Sequence, residues 1–470
     1  MSNSIYVPRH EGRKKVILGL GGTISMEEWG RVLDFHGRVI YKEPITGWRW
    51  MNDAERRVYQ NGLLARCTDP KKAAAEIVND PYYSAREVHE RVGEAVEKRY
   101  KGGNLAKMRK ILHGSDIEFR EVELEPGSQR PGIDSSNMEL EYCKKLSEIA
   151  FAYTTNPRQS ERRAVGALQG TDTEDQTLKI LSFMLHGMQI PFVGTGAMSI
   201  IKDPRTDALA NYRGLLVALD YDLPFPMWIF DQKLMGYRLM KQPKGNDYEF
   251  VPNDLLFATN KNGTLDFTEG DEKAQELLEK QLNLRESLFR DGPEIYSDYK
   301  YAEQAHMRLS YRPEEVREWL TRKEPTMHAV IAGYPKGNIP TKVTDAIREF
   351  TEAGGTIMVL PEEGSGVQGR QGGYGVGADA LNAGAISSYG MPLKLAWAKM
   401  CWAAGQTSVR EELIKLLRCP FIGETDENVP LEVGYEILRR RKKEREANVK
   451  DKDIFETPLD YLGRQLQNAF

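Results

Sequence analysis

Two short motifs place a threonine hydroxyl directly after a glycine turn. The first is GGT at 21–23, which follows the apolar run KKVILGL at 14–20, and the second is GTDT at 170–173, which follows AVGAL at 164–168. A hydroxyl beside free backbone amides is suited to acyl transfer, because the hydroxyl can attack a carbonyl carbon while the amides hold the oxyanion that forms. Taken by itself, a GGT turn is more often structural than catalytic, so the interpretation depends on what else the chain supplies.

A dinucleotide-binding loop is the alternative interpretation of the first motif. Gly19 and Gly21 follow a strand pattern and could open a GxGxxG fingerprint, but the sixth position is Ile24. Without the third glycine, neither close packing of a helix nor a helix N-terminus suited to an anion is assured. The sequence also lacks a GxxxxGK[ST] phosphate loop, so nucleotide binding is disfavoured.

The elements around these motifs alternate between strand and helix patterns. After the second motif comes a helical stretch in which Leu178, Leu181 and Leu185 fall on one face. A further strand, helix and strand pattern follows over 191–230. Such alternation predicts a parallel sheet with helices on both faces. Ligands of such sheets gather beyond the carboxyl ends of the strands, and both threonine motifs are expected there.

The predicted architecture is α/β, with two domains of unequal size. A larger parallel-sheet domain spans 1–260 and carries a helical insertion at about 28–125, and a smaller C-terminal α/β domain spans 326–405. A polar connector at 261–325 joins the two domains, and a helical extension follows at 406–470. Both ends of the insertion lie beside the motifs in sequence, so we expect it to fold as a helical cap over the mouth of the site.

The bulk composition is that of an ordinary globular protein. Hydrophobic residues make up 40% and charged residues 29% of the 470, and the formal net charge is −4, so no global field favours nucleic acid or a membrane surface as a partner. The four cysteines show no CxxC spacing, which disfavours a zinc site and a disulfide framework. No run approaches the roughly 18 apolar residues that a spanning helix needs, and we expect a cytoplasmic protein.

Seven sequence blocks resemble the bacterial and archaeal L-asparaginase/glutaminase family, and they occur in the order found in that family. In the N-terminal part the blocks are LGGTIS at 20–25, IDSSNM at 133–138, QGTDTEDQT at 169–177 and PFVGTGAMS at 191–199. In the C-terminal part they are AGYPKGNIP at 332–340, YGVG at 374–377 and AGAISSYGMPLKLAWAKM at 383–400. Any one block is weak evidence, but seven in order make the resemblance specific. It implies an amidohydrolase with the two-domain asparaginase fold.

The resemblance implies a role for each residue at a matching position. Thr23 matches the primary nucleophile, and Thr171 and Asp172 match the second threonine and its aspartate. Lys241 stands where the catalytic lysine is expected, and Ser135 matches a residue that holds the α-carboxylate of the substrate. Asp172 would also bind the α-ammonium. The other positions that the resemblance places at the substrate are Gly22, Asp134, Ser136, Gly170 and Asn338.

The chemistry of these residues agrees with the implied roles. A threonine hydroxyl is a poor nucleophile at neutral pH and needs a base, which a lysine held between an aspartate and a threonine can provide. Thr23 would attack the side-chain amide, backbone amides at the two turns would hold the oxyanion, and ammonia would leave before water frees the acid. We expect L-asparagine as substrate and no metal or cofactor. The competing interpretation of Asp172, as the N-cap of a helix that starts near Glu174, is compatible with this role.

The chain departs from the family pattern at two positions and in one loop. Leu20 stands where the family usually has a threonine, and Gln169 stands where it has the histidine of HGTDT. Gln169 can exchange hydrogen bonds but cannot carry a proton charge, so we expect it to alter orientation or pH behaviour more than activity. The insertion occupies the place of the family's lid loop with its catalytic tyrosine. Tyr41 is the candidate for that tyrosine, and a surface hairpin tyrosine is the competing interpretation.

Assembly and partners follow from the same resemblance. Asn338 matches a residue that reaches into a neighbouring subunit's site, so we expect a homodimer or homotetramer. The basic run at 439–443 is flanked by Glu444 and Glu446, which favours a solvated helix face over an RNA contact. Two other functions stay open. One is an ammonia-generating component resembling the D subunit of archaeal glutamyl-tRNA amidotransferase, and the other is an asparaginase-like scaffold that binds or regulates without catalysis.

Overall fold

The computed structural model describes residues 6–11, 13–20, 32–33, 39–41, 84–99, 102–114, 116–122, 135–155, 163–188, 191–199, 201, 203, 205–244, 247–290, 292–306, 313–320, 328–334, 337–361, 375–425, 427 and 429–450. The strands among them are β1 Lys15–Gly19, β2 Val32–Leu33, β3 Val39–Tyr41, β4 Ile117–Glu121, β5 Ala164–Leu168, β6 Phe192–Thr195, β7 Met227–Phe230, β8 Lys233–Met235, β9 Met240–Lys244, β10 Asp247–Val251, β11 Leu256–Asn260, β12 Leu265–Asp266, β13 Glu303–His306, β14 His328–Ala332, β15 Thr356–Leu360 and β16 Ile386–Ser387.

The α-helices in the same residues are α1 Ala85–Arg99, α2 Gly102–His113, α3 Leu140–Thr155, α4 Glu174–Met184, α5 Ala208–Ala218, α6 Glu272–Leu288, α7 Pro313–Leu320, α8 Thr341–Glu352, α9 Gly375–Asn382, α10 Leu393–Gln406, α11 Arg410–Arg418 and α12 Leu431–Lys450. Short 3-10 turns occur at Ser135–Asn137 and Phe267–Glu269. Alternation of strand and helix from β5 to β7 follows the order predicted from the sequence.

An eight-stranded sheet in the order β12-β11-β8-β7-β6-β5-β1-β4 organises the N-terminal part of the chain. From β4 to β7 neighbouring strands run parallel, and β8, β11 and β12 join antiparallel at the opposite edge. Every residue of β1 and β5 is buried, as is typical of strands inside a parallel sheet. The predicted α/β class is therefore confirmed.

The parallel register brings the carboxyl ends of three strands together. Gly19 of β1 pairs with Leu168 of β5, and Leu168 pairs with Thr195 of β6. Just beyond the strands, Leu20 N donates to the Leu168 carbonyl at 2.9 Å, and Gln169 N donates to the Thr195 carbonyl at 3.0 Å. The two threonine motifs thus follow adjacent strands at one edge of the sheet.

The helices that we predicted as a cap form part of the sheet domain instead. α1 and α2 pack against α5, and α1 also contacts β1 and β4. On α1 the residues Val88, Val92 and Val96 are buried at four-residue spacing, and His89 Nδ1 lies 3.0 Å from the Tyr212 hydroxyl on α5. β4 then pairs with β1 inside the sheet. The prediction of a cap over the site is therefore wrong for α1 and α2, because their apolar stripe is buried against a helix and strands of the sheet domain.

The chain forms two compact units that interleave in sequence. The first comprises Met1–Met138, Pro157–Asp175 and Ile190–Glu276, and the second comprises Glu139–Asn156, Gln176–Gln189 and Leu277–Phe470. The second contains a parallel sheet in the order β13-β14-β15-β16, and α8 contributes residues of its apolar face to the hydrophobic core of this sheet. This partition differs from the linear ranges inferred from the sequence, which stay a prediction.

Three observations on the described residues bear on possible partners. No helix among them is long and apolar enough to cross a membrane. No group of three or more histidine, cysteine, aspartate or glutamate residues in this part of the chain is arranged to hold a metal ion. The described cysteines, Cys143, Cys401 and Cys419, are buried free thiols.

Candidate active site

A short loop between β5 and α4 carries Thr171 and Asp172. Besides the bond from Gln169 N to β6, the Gln169 amide Nε2 donates to Thr173 Oγ1 at 3.3 Å. Thr173 Oγ1 in turn donates to the Ser135 carbonyl at 2.8 Å. The loop is therefore tied both to the sheet and to the 3-10 turn Ser135–Asn137, and these bonds fix the direction in which its side chains project.

Ser135 lies buried against the backbone of this loop. Its Oγ accepts a hydrogen bond from Asp172 N at 3.3 Å. The resemblance assigned Ser135 to the α-carboxylate of a substrate and Asp172 to the α-ammonium, and the structure brings these two residues into contact. Ser136, on the same turn, is exposed.

Lys241 contacts both functional residues of the loop. Its Nζ donates to Thr171 Oγ1 at 3.1 Å, to Asp172 Oδ1 at 3.1 Å and to the Thr171 carbonyl at 3.3 Å. The side chain of Lys241 is 19% exposed and that of Asp172 is 61% exposed, whereas Thr171 is buried. A hydroxyl, a carboxylate and an ammonium thus meet at one point, and the carboxylate remains open to an incoming ligand.

The hairpin of β9 and β10 holds Lys241 in place. Its register pairs Lys241 with Phe250, and the Phe250 ring stacks on Phe230 of β7 with ring centroids 4.1 Å apart. The ring of Tyr248 lies 5.2 Å from Lys241 Nζ, within the range of a cation–π contact. The backbone at Lys241 is therefore anchored through Phe250, while the end of its side chain is held by the loop and by Tyr248.

This arrangement is suited to proton transfer at a threonine hydroxyl. As an ammonium, Lys241 donates to Thr171 Oγ1 and neutralises Asp172. As a neutral amine, it can accept the hydroxyl proton across the same 3.1 Å contact. Because Asp172 contacts the same nitrogen, it can stabilise the ammonium that the transfer generates.

A buried carboxyl behind the loop is a feature that sequence reasoning does not single out. Glu174 is the first residue of α4 and is fully buried, and its Oε1 accepts a hydrogen bond from Trp228 Nε1 at 3.2 Å. Burial raises the pKa of Glu174 well above its usual value, and the bond from Trp228 opposes that rise. In the sequence, a glutamate in the first turn of a helix is typical of ordinary solvated helix starts, so only burial distinguishes this one.

The remaining predicted residues lie in different parts of the structure. Gly170 is buried in the loop. Tyr41 belongs to β3, where its backbone pairs with Val32 of β2. Asn338 lies in the second unit, between β14 and α8, and its carbonyl accepts a hydrogen bond from Tyr334 N at 3.0 Å. Three predicted site residues lie outside the described residues: Thr23, Gly22 and Asp134.

Two family models match the chain. The model "Asparaginase, N-terminal" matches residues 58–243, and the model "Glutaminase/Asparaginase C-terminal domain" matches residues 321–417. Together they match more than half of the 470 residues. The chain belongs to the L-asparaginase/glutaminase family. The N-terminal match includes Ser135, Thr171, Asp172 and Lys241, and it begins after Thr23.

The family match overlaps part of the predicted insertion at about 28–125. Residues 58–125 fall inside the matched region, and β4 within them is a strand of the main sheet. The predicted insertion at about 28–125 therefore overlaps the matched region over residues 58–125, and residues 28–57 precede that region. The bounds of the insertion stay a prediction.

Known asparaginases resemble the chain in sequence and in fold. An L-asparaginase from Thermococcus kodakarensis is 28% identical over 320 residues, which are 67% of this chain and 92% of the relative. The solved structure of the thermostable L-asparaginase from Thermococcus kodakarensis matches with a TM-score of 0.58 at 21% identity and covers 88% of this chain and 100% of that one. For the probable cytoplasmic L-asparaginase from Campylobacter jejuni the TM-score is 0.54 at 17% identity, with 86% and 99% covered. The structural likeness shows the asparaginase fold, and family membership makes the protein an asparaginase-type amidohydrolase.

Proposed function

We propose that this asparaginase-family protein hydrolyses the side-chain amide of L-asparagine, with Thr23 as nucleophile and Thr171, Asp172 and Lys241 as the proton-transfer group. The observation that carries the proposal is the pair of 3.1 Å contacts from Lys241 Nζ to Thr171 Oγ1 and to Asp172 Oδ1. A lysine that served only as an ion-pair partner would need the aspartate alone. The added contact with a buried hydroxyl supports proton transfer.

The covalent chain limits how far Thr23 can lie from this group. Leu20 N donates a hydrogen bond to the carbonyl of Leu168, the last residue of β5, and Gln169 follows Leu168 in the chain. Thr23 follows Leu20 by three residues, and an extended chain spans at most roughly 3.6 Å per residue, so Thr23 is tethered within about 11 Å of Leu20. Thr171 follows Gln169 by two residues. These two tethers support a site that contains both threonines.

The proposed reaction proceeds through an ester of the enzyme. The neutral amine of Lys241 takes up the proton of the Thr23 hydroxyl through Thr171, and the Thr23 oxygen attacks the side-chain carbonyl carbon. Backbone amides at the two glycine turns stabilise the oxyanion. The C–N bond then breaks, the nitrogen takes up the proton and ammonia leaves, after which water attacks the ester and releases aspartate and the threonine. Asp172 binds the α-ammonium of the substrate, and Ser135 binds its α-carboxylate.

Localisation and assembly belong to the same proposal. We place the protein in the cytoplasm as a homodimer or homotetramer that acts on a free amide without a cofactor or metal. The likeness in fold to the probable cytoplasmic L-asparaginase from Campylobacter jejuni supports the location. The position of Asn338 in a family block supports the oligomer, because the resemblance assigns that residue to a partner's site.

Ammonia release by matched lysine variants tests the proposal. The purified protein is assayed with L-asparagine, L-glutamine and larger amides, and Lys241→Met is compared with Lys244→Met. Lys244 lies on the same strand, is 64% exposed and forms an ion pair with Glu249 at 2.7 Å, so it controls for the loss of a positive charge from the hairpin. We expect Lys241→Met to lower kcat by about 10² to 10⁴, the usual contribution of acid–base catalysis, and Lys244→Met to retain activity. Equal rates in the two variants would refute the proposed role of Lys241.

A further inference from the structure

An aspartate in the connection between β6 and α5 does not play the part that its position predicts. Asp207 directly precedes α5, where an aspartate side chain usually accepts a hydrogen bond from the first backbone amides of its own helix. The Asp207 carboxylate makes no such bond. The hydroxyl of Thr206 accepts a bond from Ala208 N instead, at 3.1 Å. The carboxylate of Asp207 is therefore available to another part of the chain.

This carboxylate bonds the loop at 196–199, which follows the carboxyl end of β6. Oδ1 of Asp207 accepts hydrogen bonds from Met198 N at 3.0 Å and from Ser199 N at 3.1 Å, and Oδ2 also lies 3.0 Å from Met198 N. Thr206 Oγ1 donates to the Ser199 carbonyl at 2.9 Å. Hydrogen bonds from backbone amides to a carboxylate are stronger than those between neutral groups. The loop is thus held firmly by the residues that precede α5.

Asn211, one turn into α5, completes this support and is fully buried. Its Nδ2 donates to Asp207 Oδ2 at 2.9 Å and to the Gly196 carbonyl at 3.0 Å. Its Oδ1 accepts a bond from Asp231 N at 2.9 Å, in the turn after β7. The side-chain amide therefore uses both of its hydrogens and its oxygen. Asp207 and Asn211 together join the loop at 196–199 to the turn that follows the next strand of the sheet.

The loop at 196–199 lies directly beside the loop that carries the candidate catalytic residues. The two loops follow β6 and β5, which are parallel neighbours, so both lie at the same edge of the sheet. A Cβ atom at Gly196 would lie 2.6 Å from the Gln169 carbonyl oxygen and 2.6 Å from Glu174 Oε1, distances that real Cβ atoms essentially never show. The two loops are therefore in close contact, while the end of the loop at 196–199 is only partly buried.

We propose that Asp207 is a positioning residue that, together with Asn211, holds the loop at 196–199 as a wall of the substrate pocket. The inference rests on the proposed function, which places the substrate at this edge of the sheet. The wall contributes no atom to the hydrogen bonds between Lys241 and the loop that carries Thr171. Displacement of the wall should therefore weaken substrate binding and leave the proton-transfer group intact, so that KM rises while kcat is nearly unchanged.

The kinetics of L-asparagine hydrolysis by Asp207→Ala and Asp207→Asn test this inference. Alanine removes every hydrogen bond of the carboxylate, and we expect KM to rise by about 10-fold to 10²-fold, on the scale of a misplacement by roughly 1 Å. Asparagine keeps one oxygen that can accept from Met198 N and Ser199 N, but its amide nitrogen would face the donor of Asn211. KM should therefore rise less in Asp207→Asn than in Asp207→Ala, and kcat should be retained in both.

Asp203→Ala is the matched control for the loss of a carboxylate from the same connection. Asp203 is buried, and its Oδ1 accepts a bond from Arg205 N at 2.8 Å within its own turn. Its kinetic constants should match those of the unaltered protein. An unchanged KM in folded Asp207→Ala, or an equal rise of KM in Asp203→Ala, would overturn the inference. If Asp207→Ala does not fold, the KM of Asp207→Asn decides in the same way.

Calorimetric binding of L-aspartate, the expected product, separates this inference from the proposed function. The affinity should fall in Asp207→Ala by about the factor by which KM rises. If Lys241→Met stays fully active while KM rises in Asp207→Ala, the proposed base fails and the wall stands. If Lys241→Met is inactive and Asp207→Ala has unaltered KM and affinity, only the role of Asp207 fails. If the unaltered protein neither releases ammonia from L-asparagine nor binds L-aspartate, both fail together.

Discussion

At the scale of single residues, exposure separates the parts that Thr171 and Asp172 can play. The hydroxyl of Thr171 is buried and accepts a hydrogen bond from Lys241 Nζ at 3.1 Å. This contact suits the internal transfer of a proton. The carboxylate of Asp172 contacts the same nitrogen but is 61% exposed, which suits contact with a charged ligand. Adjacent residues therefore face different environments, and this difference supports assigning them to different steps.

The first prediction concerns the nucleophile. Thr23→Ala should lower amide hydrolysis by roughly 10³ or more, as expected when a group of a catalytic unit is removed, and should leave the thermal unfolding transition near that of the unaltered protein. We expect the hydroxyl to contribute little to packing, because two glycines precede it in the sequence. Ser25→Ala removes the next hydroxyl of the same motif and serves as control. Substantial turnover in Thr23→Ala would move the nucleophile to Thr171, whose alanine variant is the next to assay.

A second prediction concerns acid stability and His186. The imidazole packs among aromatic rings, with centroid distances of 5.5 Å to Tyr296 and 4.9 Å to Phe421. Burial lowers the pKa of His186 to about 4 in the folded chain, so between about pH 6.5 and pH 4 the unfolded chain binds the extra proton. The contribution of this group to stability is complete above pH 6.5 and is lost as the pH falls towards 4, and by pH 5 the loss is about 2 kcal/mol.

Urea unfolding of the unaltered protein and of His186→Phe at pH 7 and pH 5 measures this contribution. His89 and His328 also have pKa values lowered to about 4 by burial, so the unaltered protein should lose stability from all three. The phenylalanine variant keeps an aromatic ring in the cluster. Between pH 7 and pH 5 it should lose less stability than the unaltered protein, and the difference is the contribution of His186. Equal losses in the two proteins would show that His186 does not titrate in this way.

At the scale of elements, the hairpin of β9 and β10 connects the sheet to the candidate site. Phe250 stacks on Phe230 directly opposite Lys241 in the strand register. Phe250→Ala should therefore lower kcat by up to about 10², the cost of a small misplacement of a catalytic group, and destabilise the fold by about 3 kcal/mol. Phe250→Leu restores most of the buried volume and should recover much of both. If kcat is unchanged in a destabilised Phe250→Ala protein, the hairpin does not position Lys241.

A further prediction at this scale concerns the segment at about 28–57. It departs five residues after Thr23, so we expect it to restrict which amides reach the site. Its replacement by a short Gly/Ser linker, with β4, α1 and α2 kept, should raise kcat/KM for bulky amides relative to L-asparagine. The sheet domain should stay folded, because α1, α2 and β4 are retained. Unchanged selectivity and activity in a well-folded variant would rule out a lid.

At the scale of the whole molecule, the arginines of the basic run in α12 form ion pairs with other elements of the fold. Arg439 Nε lies 2.9 Å from Glu294, and Arg441 Nε lies 2.6 Å from Glu412. Arg440 also forms an ion pair with Glu412, at 2.8 Å. The hydrogen bonds that Glu412 accepts from Arg441 lower the pKa of the Glu412 carboxyl to about 2. These arginines hold α12 against α11 and the segment after α6. This pairing supports the interpretation of the run as a helix face and not as an RNA contact.

The last prediction concerns assembly. The resemblance places Asn338 at the site of a neighbouring subunit, so the active protein should sediment as a dimer or tetramer at micromolar concentration. Asn338→Ala should then lower activity while the sedimentation coefficient stays the same, because one amide contributes little to an interface of ordinary size. A fully active monomer would contradict both the assembly and the role of Asn338.

The sequence by itself determined the local elements and most of the candidate site. The apolar run at 164–168 predicted β5, and the strand, helix and strand pattern over 191–230 predicted β6, α5 and β7, because strand and helix periods are local properties of a chain. Thr171 and Asp172 were predicted from a motif in family order and Lys241 from its expected position, and the structure brings the three side chains into contact. The cap prediction failed for α1 and α2, because an amphipathic helix shows that one face is buried and not what buries it.

Only the tertiary structure decided which groups meet and which are buried. Lys241 is 70 residues from Thr171 in sequence, and their contact depends on a hairpin anchored by Phe250 and on a loop tied to Ser135. Glu174 has the sequence signal of a solvated helix start, yet packing around Gly196 and Trp228 removes it from water. Local patterns encode backbone conformation, whereas the environment of a charge depends on residues far apart in the chain.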